Sequence, residues 1–148
     1  MVVLITGATG FVGRHLTNYL FTQGHKVYSL GRTPFEGIDS YVTDFLSDKL
    51  QLIEILSKIK PDYIFHLIGS NNEQNLEKAY KVNADYAKSL LDAIIKSGLN
   101  KSTKCLFFGS AAEYGPVLIK DLPLSEEHSC DPQNLYGKSK LKQKIGRA

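Results

Sequence analysis

The fold is decided at the start of the chain, by residues 2–13, VVLITGATGFVG. The stretch opens with a short apolar run that does not alternate with polar residues, which is typical of a strand covered on both faces. Three glycines follow at every third position: Gly7, Gly10 and Gly13. Residues 11–21 then carry apolar side chains at helical spacing, and Gly24 is a natural helix stop. The stretch therefore predicts a strand, a tight turn and a helix in direct succession.

The rest of the chain alternates short apolar runs with longer amphipathic ones. The runs predict four more strands, at 26–30, 41–43, 63–68 and 104–108. Helices are predicted at 46–59, with Leu50, Ile53, Leu56 and Ile59 on one face, at 76–97 and from 136 to the end. Strands and helices that alternate at this spacing favour a parallel sheet with right-handed crossovers. The predicted fold class is α/β: a Rossmann-type, doubly wound parallel sheet in three layers.

Composition limits the classes of function. The 148 residues indicate one domain, residues 1–148, and 43% hydrophobic residues can supply its core. A net charge of +3 predicts binding to neither nucleic acid nor membrane. The two cysteines, Cys105 and Cys130, match no metal-ligand spacing, so we expect reduced thiols and no metal site. No apolar run is long enough for a signal peptide or a membrane span, which favours a soluble, cytoplasmic protein.

Each glycine of the turn has its own physical reason. Gly7 permits the tight turn, Gly10 lets the backbone approach a pyrophosphate, and Gly13 lets the helix pack closely on the strand. The helix N-terminus offers free N–H groups and a partial positive charge to the phosphates. An ordinary glycine-rich turn is the alternative. The position between the first strand and the first helix favours a dinucleotide site.

The Gly-x-x-Gly-x-x-Gly spacing resembles the cofactor turn of the extended short-chain dehydrogenase/reductase superfamily, which contains nucleotide-sugar epimerases, dehydratases and reductases. The resemblance runs along essentially the whole chain. It implies cofactor contacts from the turn, at Gly7, Thr9, Gly10, Phe11, Val12 and Gly13. It implies further contacts after the third and fourth strands, from Asp44 and its neighbour Phe45, and from Leu67, Ile68 and Gly69. We expect His66, inside the fourth strand, to be a core residue instead of a catalyst.

The end of the second strand bears on the choice of dinucleotide. A carboxylate there would bind the ribose 2′-hydroxyl of NAD, but the strand ends at Gly31 and Arg32. A guanidinium at this position suits a 2′-phosphate. The alternative is a solvated surface arginine. The sequence therefore favours NADP over NAD.

Two residues near the C-terminus form a candidate acid/base pair. Tyr136 and Lys140 are four residues apart, which places them on the same face of a helix. A nearby ammonium group and the positively charged nicotinamide ring would favour the phenolate, so the tyrosine could exchange a proton with substrate. The resemblance gives Tyr136 and Lys140 contacts with the cofactor as well. An ordinary helix residue is the alternative for Tyr136.

The fifth strand leads into Gly109-Ser110-Ala111-Ala112-Glu113, where the resemblance places Ser110 at the catalytic serine or threonine position. Its hydroxyl would hydrogen-bond the substrate oxygen; a plain turn-former is the alternative. The 4,6-dehydratases of the superfamily carry a glutamate directly after that residue. Here Glu113 comes later and should point elsewhere on an extended backbone, which disfavours a dehydratase. Asn83 matches an asparagine of the superfamily, and we expect it to be structural.

The resemblance implies an NAD(P)-dependent nucleotide-sugar epimerase or 4-keto-sugar reductase, acting by hydride transfer with Tyr136 as acid/base. Members of the superfamily are longer, with a second domain that holds the sugar. We therefore expect this chain, a truncated or naturally reduced relative, to lack the C-terminal part of the fold. Uncovered apolar surface would lead to self-association or a homo-oligomer. The alternative function is a non-catalytic module or inactive fragment that binds NAD(P) or a partner chain.

Overall fold

The computed structural model describes residues 1–44, 46–71 and 75–145. Its strands are β1 (Val2–Thr6), β2 (Lys26–Gly31), β3 (Asp39–Val42), β4 (Tyr63–His66) and β5 (Lys104–Phe107). Its α-helices are α1 (Phe11–Thr22), α2 (Lys49–Ile59), α3 (Leu76–Tyr80), α4 (Tyr86–Lys96) and α5 (Leu135–Ile145). A π-helical turn, Lys81–Asp85, joins α3 to α4, and short 3₁₀ turns cover Ala111–Glu113 and Ile119–Asp121.

The chain divides into two compact units. The sheet unit comprises Met1–Gly69 and Ser89–Phe108, and the helical unit comprises Ser70–Lys88 and Gly109–Ala148. All five described strands lie in the sheet unit and pair in parallel, in the order β3-β2-β1-β4-β5. The predicted Rossmann-type parallel sheet is therefore confirmed.

The strand order also explains why helices cover both faces of the sheet. The chain moves from β1 to β2 in one direction along the sheet and from β3 to β4 in the other. Because crossovers between parallel strands are almost always right-handed, this order predicts α1 and α2 on opposite faces. On the α1 face, Val3, Ile5 and Val27 form a buried cluster against Leu16 and Leu20 of α1.

The buried face of α2 differs from the prediction. Leu50 is 74% exposed, and the buried residues are Leu52, Ile55, Leu56 and Ile59. The predicted face advanced by three residues at every step, from residue 50 to residue 59. Nine residues of α-helix turn through about 900°, which places those two positions on opposite sides. The helix also begins at Lys49, three residues later than predicted, because the Asp48 carboxylate caps it by accepting a hydrogen bond from the Gln51 nitrogen.

The most buried residues of α1 are small. Gly13 and Thr17 are buried, whereas Phe11 is 83% exposed and Tyr19 is 62% exposed. Each of these aromatic residues is two positions from a buried one, which is about 200° around the helix. Of the apolar residues at helical spacing in 11–21, Leu16 and Leu20 pack on the core as a helical face predicts, whereas these two aromatic residues do not.

The remaining elements follow the prediction closely. β4 ends at His66, two residues earlier than expected, and the long helix predicted over 76–97 is interrupted by the π turn. Gly98 follows its end with a φ of +69°, the left-handed conformation that favours glycine. Over the described ranges, no helix has the length and apolar character needed to cross a membrane.

Candidate functional site

The glycine turn of the sheet unit is fixed by backbone packing. Gly7 has a φ of +76°, and a Cβ there would lie 2.9 Å from the Ile68 nitrogen. A Cβ on Gly13 would lie 2.2 Å from the Gly7 carbonyl oxygen and 2.7 Å from the Ala8 Cα. The predicted close approach at Gly13 is thus against the turn itself instead of the strand. At both positions only glycine fits without moving the backbone.

The turn leaves the N-terminus of α1 open. Gly10 caps the helix with no side-chain hydrogen bond, and the first turn carries no acidic residue. The Gly10 nitrogen donates to the Gly7 carbonyl at 3.0 Å, which closes the turn. Phe11 and Val12 are exposed at the start of the helix. Such an end combines unsatisfied N–H groups with a partial positive charge, the environment that a phosphate prefers.

Two more contacts hold Thr9, the turn residue between Ala8 and Gly10. The Arg14 Nε donates to the Thr9 carbonyl at 2.9 Å, and the Thr9 hydroxyl lies 3.4 Å from the Thr33 hydroxyl. Thr33 directly follows Arg32, the predicted 2′-phosphate residue. This contact connects the turn with the segment after β2, where the second ribose of a dinucleotide would be read.

The other predicted cofactor residues of the sheet unit have different environments. Leu67 and Ile68 pass directly over Gly7, whereas Gly69 and Arg32 are exposed. Asp44 is exposed and its backbone carbonyl accepts from the Ser47 and Asp48 nitrogens. Phe45 lies outside the described residues. His66 is 1% exposed and its Nδ1 lies 2.8 Å from the Thr6 hydroxyl, as expected of a core histidine.

The helical unit contains the three predicted catalytic residues. Tyr136 is half-buried in the first turn of α5, and Lys140 is only 4% exposed one turn later. The Asn134 side chain caps this helix by accepting from the Gly137 nitrogen at 2.7 Å. A Cβ on Gly137 would lie 2.3 Å from the Ala112 carbonyl oxygen. The beginning of α5 therefore packs directly on the 3₁₀ turn that follows Ser110.

The conformation around Ser110 corrects one prediction. The backbone over Ala111–Glu113 is a 3₁₀ turn instead of an extended strand, and Glu113 folds back and is 4% exposed. Its carboxylate accepts from the Ser110 nitrogen at 2.9 Å, and the Ser110 hydroxyl accepts from the Ala112 nitrogen at 3.2 Å. Ser110 and Glu113 thus form a capping box, a reciprocal arrangement that fixes both side chains.

A buried network that the sequence did not reveal anchors α5. Asn83, in the π turn, is fully buried; its Oδ1 accepts from the Ser70 nitrogen and its Nδ2 donates to the Ser70 carbonyl, both at 2.8 Å. The same Nδ2 donates to the Ser139 hydroxyl at 2.8 Å, and that hydroxyl donates to the Tyr136 carbonyl at 2.7 Å. The structural role expected of Asn83 is therefore visible as a link between the segment after β4 and the helix of Tyr136.

A second contact that the sequence analysis missed involves Gln143. The Lys140 Nζ donates to the Gln143 Oε1, and both side chains are buried. The signal was available in principle, because residues three apart on a helix are neighbours. No sequence pattern, however, would have identified this glutamine as the residue that binds the Lys140 ammonium.

Open space lies beside Tyr136. A cavity of about 310 Å³ within the helical unit is lined by Ser70, Asn71, Ala79, Asn134, Leu135 and Tyr136. Serine and asparagine side chains offer both donors and acceptors, which suits a hydroxyl-rich ligand. A larger cavity, of about 490 Å³, lies in the sheet unit next to His25 and Lys26, and none of its lining residues was a predicted site residue.

The cysteines are free thiols. Burial raises the pKa of Cys105 to about 12, which keeps this thiol protonated at neutral pH. Among the residues that the structure describes, no group of three or more His, Cys, Asp or Glu side chains could hold a metal ion.

The network around Asn83 makes a testable prediction. Asn83→Leu keeps the number and branching of the side-chain heavy atoms but removes the asparagine's hydrogen bonds to the Ser70 backbone and the Ser139 hydroxyl. We expect the free energy of unfolding to fall by about 3 kcal/mol, because each abandoned buried polar group costs about 1–3 kcal/mol. Urea unfolding followed by circular dichroism measures the change. Asn18→Leu, on the exposed side of α1, is the matched control; equal losses in the two variants would contradict the role of the network.

Comparison with known proteins identifies the family of this chain. Residues 3–145 match the model of the "NAD dependent epimerase/dehydratase family". The chain is 32% identical to GDP-6-deoxy-D-talose 4-dehydrogenase from Aggregatibacter actinomycetemcomitans, over 95% of this chain and 45% of that protein. It is 27% identical to GDP-mannose 4,6-dehydratase from Vibrio cholerae, over 93% of this chain and 42% of that protein.

A solved structure of an epimerase is also similar to this chain. The UDP-glucose 4-epimerase of Brucella ovis, in complex with NAD, superposes with a TM-score of 0.84 and 28% identity, over 97% of this chain and 46% of that one. The chain thus spans less than half the length of these relatives. Because the family model matches nearly every residue from the first strand to the last helix, the chain belongs to the NAD-dependent epimerase/dehydratase family.

Proposed function

We propose that this chain supplies the cofactor-binding part and the acid/base groups of an NAD(P)-dependent nucleotide-sugar epimerase or 4-keto-sugar reductase. The reaction uses the glycine turn of the sheet unit, and Ser110, Tyr136 and Lys140 of the helical unit. The observation that carries the proposal is the burial of Lys140, 4% exposed, one helical turn after Tyr136. Burying an ammonium costs free energy of desolvation, and ionisable groups held in such environments cluster at functional sites.

The glycine turn supports dinucleotide binding. Its open helix end, without a carboxylate in the first turn, leaves donors and positive potential for a pyrophosphate. Phe11 and Val12 would cover the phosphates from the exposed side of the turn. The relative from Brucella ovis was solved with NAD, which favours the same class of cofactor here. The bound dinucleotide would supply or accept the hydride.

In the proposed reaction Tyr136 exchanges a proton with the substrate hydroxyl or ketone. Lys140 lies on the same helix face and would stabilise the phenolate by its positive charge. Ser110 would hydrogen-bond the same substrate oxygen. Its hydroxyl already accepts from the Ala112 nitrogen and keeps its own proton to donate.

The fate of Glu113 favours an epimerase or reductase over a dehydratase. Elimination of water needs an acid/base group beside the reacting carbons. The positions directly after Ser110 are Ala111 and Ala112, and the Glu113 carboxylate is buried in the capping box. The relatives include a dehydratase of Vibrio cholerae, so it is the position of Glu113 that carries this distinction.

The choice of dinucleotide gives the first test. We expect calorimetric titration to give tighter binding of NADPH than of NADH, with the difference lost in Arg32→Ala. A guanidinium–phosphate pair at an exposed site is worth about 1 kcal/mol, so the preference should be about fivefold. Lys49→Ala, which removes an exposed cation of α2 outside the candidate site, is the control and should keep the preference. Equal affinity for both cofactors would keep the site and remove the role of Arg32.

The second candidate function is a non-catalytic module that binds the dinucleotide. It is favoured by the glycine turn and the open end of α1, which could bind a pyrophosphate without the catalytic residues. The two candidates differ in hydride transfer: an enzyme reduces bound NAD when UDP-glucose or a related nucleotide sugar is added, and a module does not. Absorbance of the reduced nicotinamide in a single-turnover mixture distinguishes them.

A further inference from the structure

The Lys140 side chain is held by a neighbour on its own helix. Its ammonium donates to the Gln143 Oε1, and the two side chains are 4% and 2% exposed. A lysine has four rotatable side-chain bonds and a compact charge, so an ammonium in water samples many positions. The contact with Gln143 removes this freedom without adding a negative charge.

Chemistry fixes the orientation of the amide. The ammonium can only donate, so the oxygen of Gln143 must face Lys140 and the nitrogen must point away. In that direction the Nε2 is buried and meets no hydrogen-bond acceptor within the described ranges. An unsatisfied buried amide is unfavourable. The unfavourable burial of the Nε2 has a physical explanation if the oxygen of the same amide holds the Lys140 ammonium.

We propose that Gln143 is a positioning residue, which holds the Lys140 ammonium in one place for the acid/base reaction and for contact with the cofactor. This inference rests on the proposed function, in which Lys140 serves Tyr136 and the dinucleotide. Gln143 acts only through Lys140 and touches neither reacting atom. A glutamate at this position would keep the acceptor, and a methionine would remove it at nearly constant volume.

Side-chain NMR tests the contact directly, without cofactor. Ammonium protons give a ¹H–¹⁵N signal only when hydrogen bonds and burial slow their exchange with water, and Lys140→Met assigns the signal. We expect it in the wild-type chain and in Gln143→Glu, and we expect it to be absent in Gln143→Met. Gln51→Met, on the exposed side of α2, is the control and should leave it unchanged. Persistence of the signal in Gln143→Met would overturn the proposal.

Titration with NAD tests the function of the contact. We expect Gln143→Met to weaken binding by about fivefold to tenfold, with most of the affinity restored in Gln143→Glu. Adding Gln143→Met to Lys140→Met should cause no further loss, because the glutamine acts through the lysine. Independent losses that multiply would indicate a merely structural role and overturn the proposal. If Lys140→Met itself has no effect, the proposed function fails, while the NMR result still decides the contact.

Discussion

Gly13→Ala is expected to destabilise the sheet unit by about 3 kcal/mol and to abolish dinucleotide binding, since overpacking against rigid atoms costs about 1–3 kcal/mol and occasionally more. The added methyl group would lie 2.2 Å from the Gly7 carbonyl oxygen and 2.7 Å from two backbone atoms of Ala8. No side chain can rotate away to make room, so α1 or the turn must move. Chemical denaturation measures the first effect, and NAD calorimetry measures the second.

Gly31→Ala is the matched control for this variant. Gly31 ends β2, its φ is not positive, and nothing lies within 4 Å of a Cβ placed there. We expect its free energy of unfolding to change by less than about 0.5 kcal/mol, as for a substitution into open space. A Gly13→Ala variant that binds NAD with wild-type affinity would show that the turn has another purpose.

Tyr136→Phe is expected to reduce the rate of hydride transfer by about 100-fold to 10,000-fold, the usual contribution of a positioned acid/base group. The substitution removes one hydroxyl and leaves the ring that lines the cavity beside Ser70. Binding of NAD should weaken far less than the rate. Single-turnover absorbance of the reduced nicotinamide, with a nucleotide sugar as hydride donor, is the measurement.

Tyr19→Phe makes the same chemical change at a site that is 62% exposed on α1 and should leave the rate unchanged. A Tyr136→Phe rate within about threefold of wild type would exclude acid/base chemistry at this residue. If the wild-type chain binds NAD and transfers no hydride, the non-catalytic module becomes the better description of this molecule.

The sheet could be predicted from the sequence because its signals are local. A buried parallel strand is a short apolar run, and the glycine turn is recognised by its spacing together with its position between a strand and a helix. The buried faces of the helices were harder to predict. In α2 the step of three residues selected Leu50, which faces solvent, and in α1 the most buried residues are Gly13 and Thr17, which no hydrophobic pattern would choose.

The candidate site also combines local patterns that the sequence reveals with long-range contacts that it does not. Tyr136 and Lys140 could be predicted as a pair because residues four positions apart on a helix share a face, which is a local pattern. The bond from Asn83 to Ser139 joins residues 56 positions apart, and only the fold brings them together. Glu113 was misjudged because a 3₁₀ turn was taken for extended backbone, and this error concerned a single local conformation.

The π turn between α3 and α4 fixes the number of residues in that stretch of chain. A π turn accommodates one residue more than an α-helical turn in the same span, and each residue of an α-helix contributes about 100° of rotation. Deleting Lys81 would let the segment relax into regular α-helix and would rotate Asn83 away from Ser70 and Ser139. A one-residue deletion at this exposed position should therefore be as damaging as the loss of the asparagine itself. An alanine at the same position should be harmless, so the constraint lies in the length of the segment and not in the identity of its surface residues.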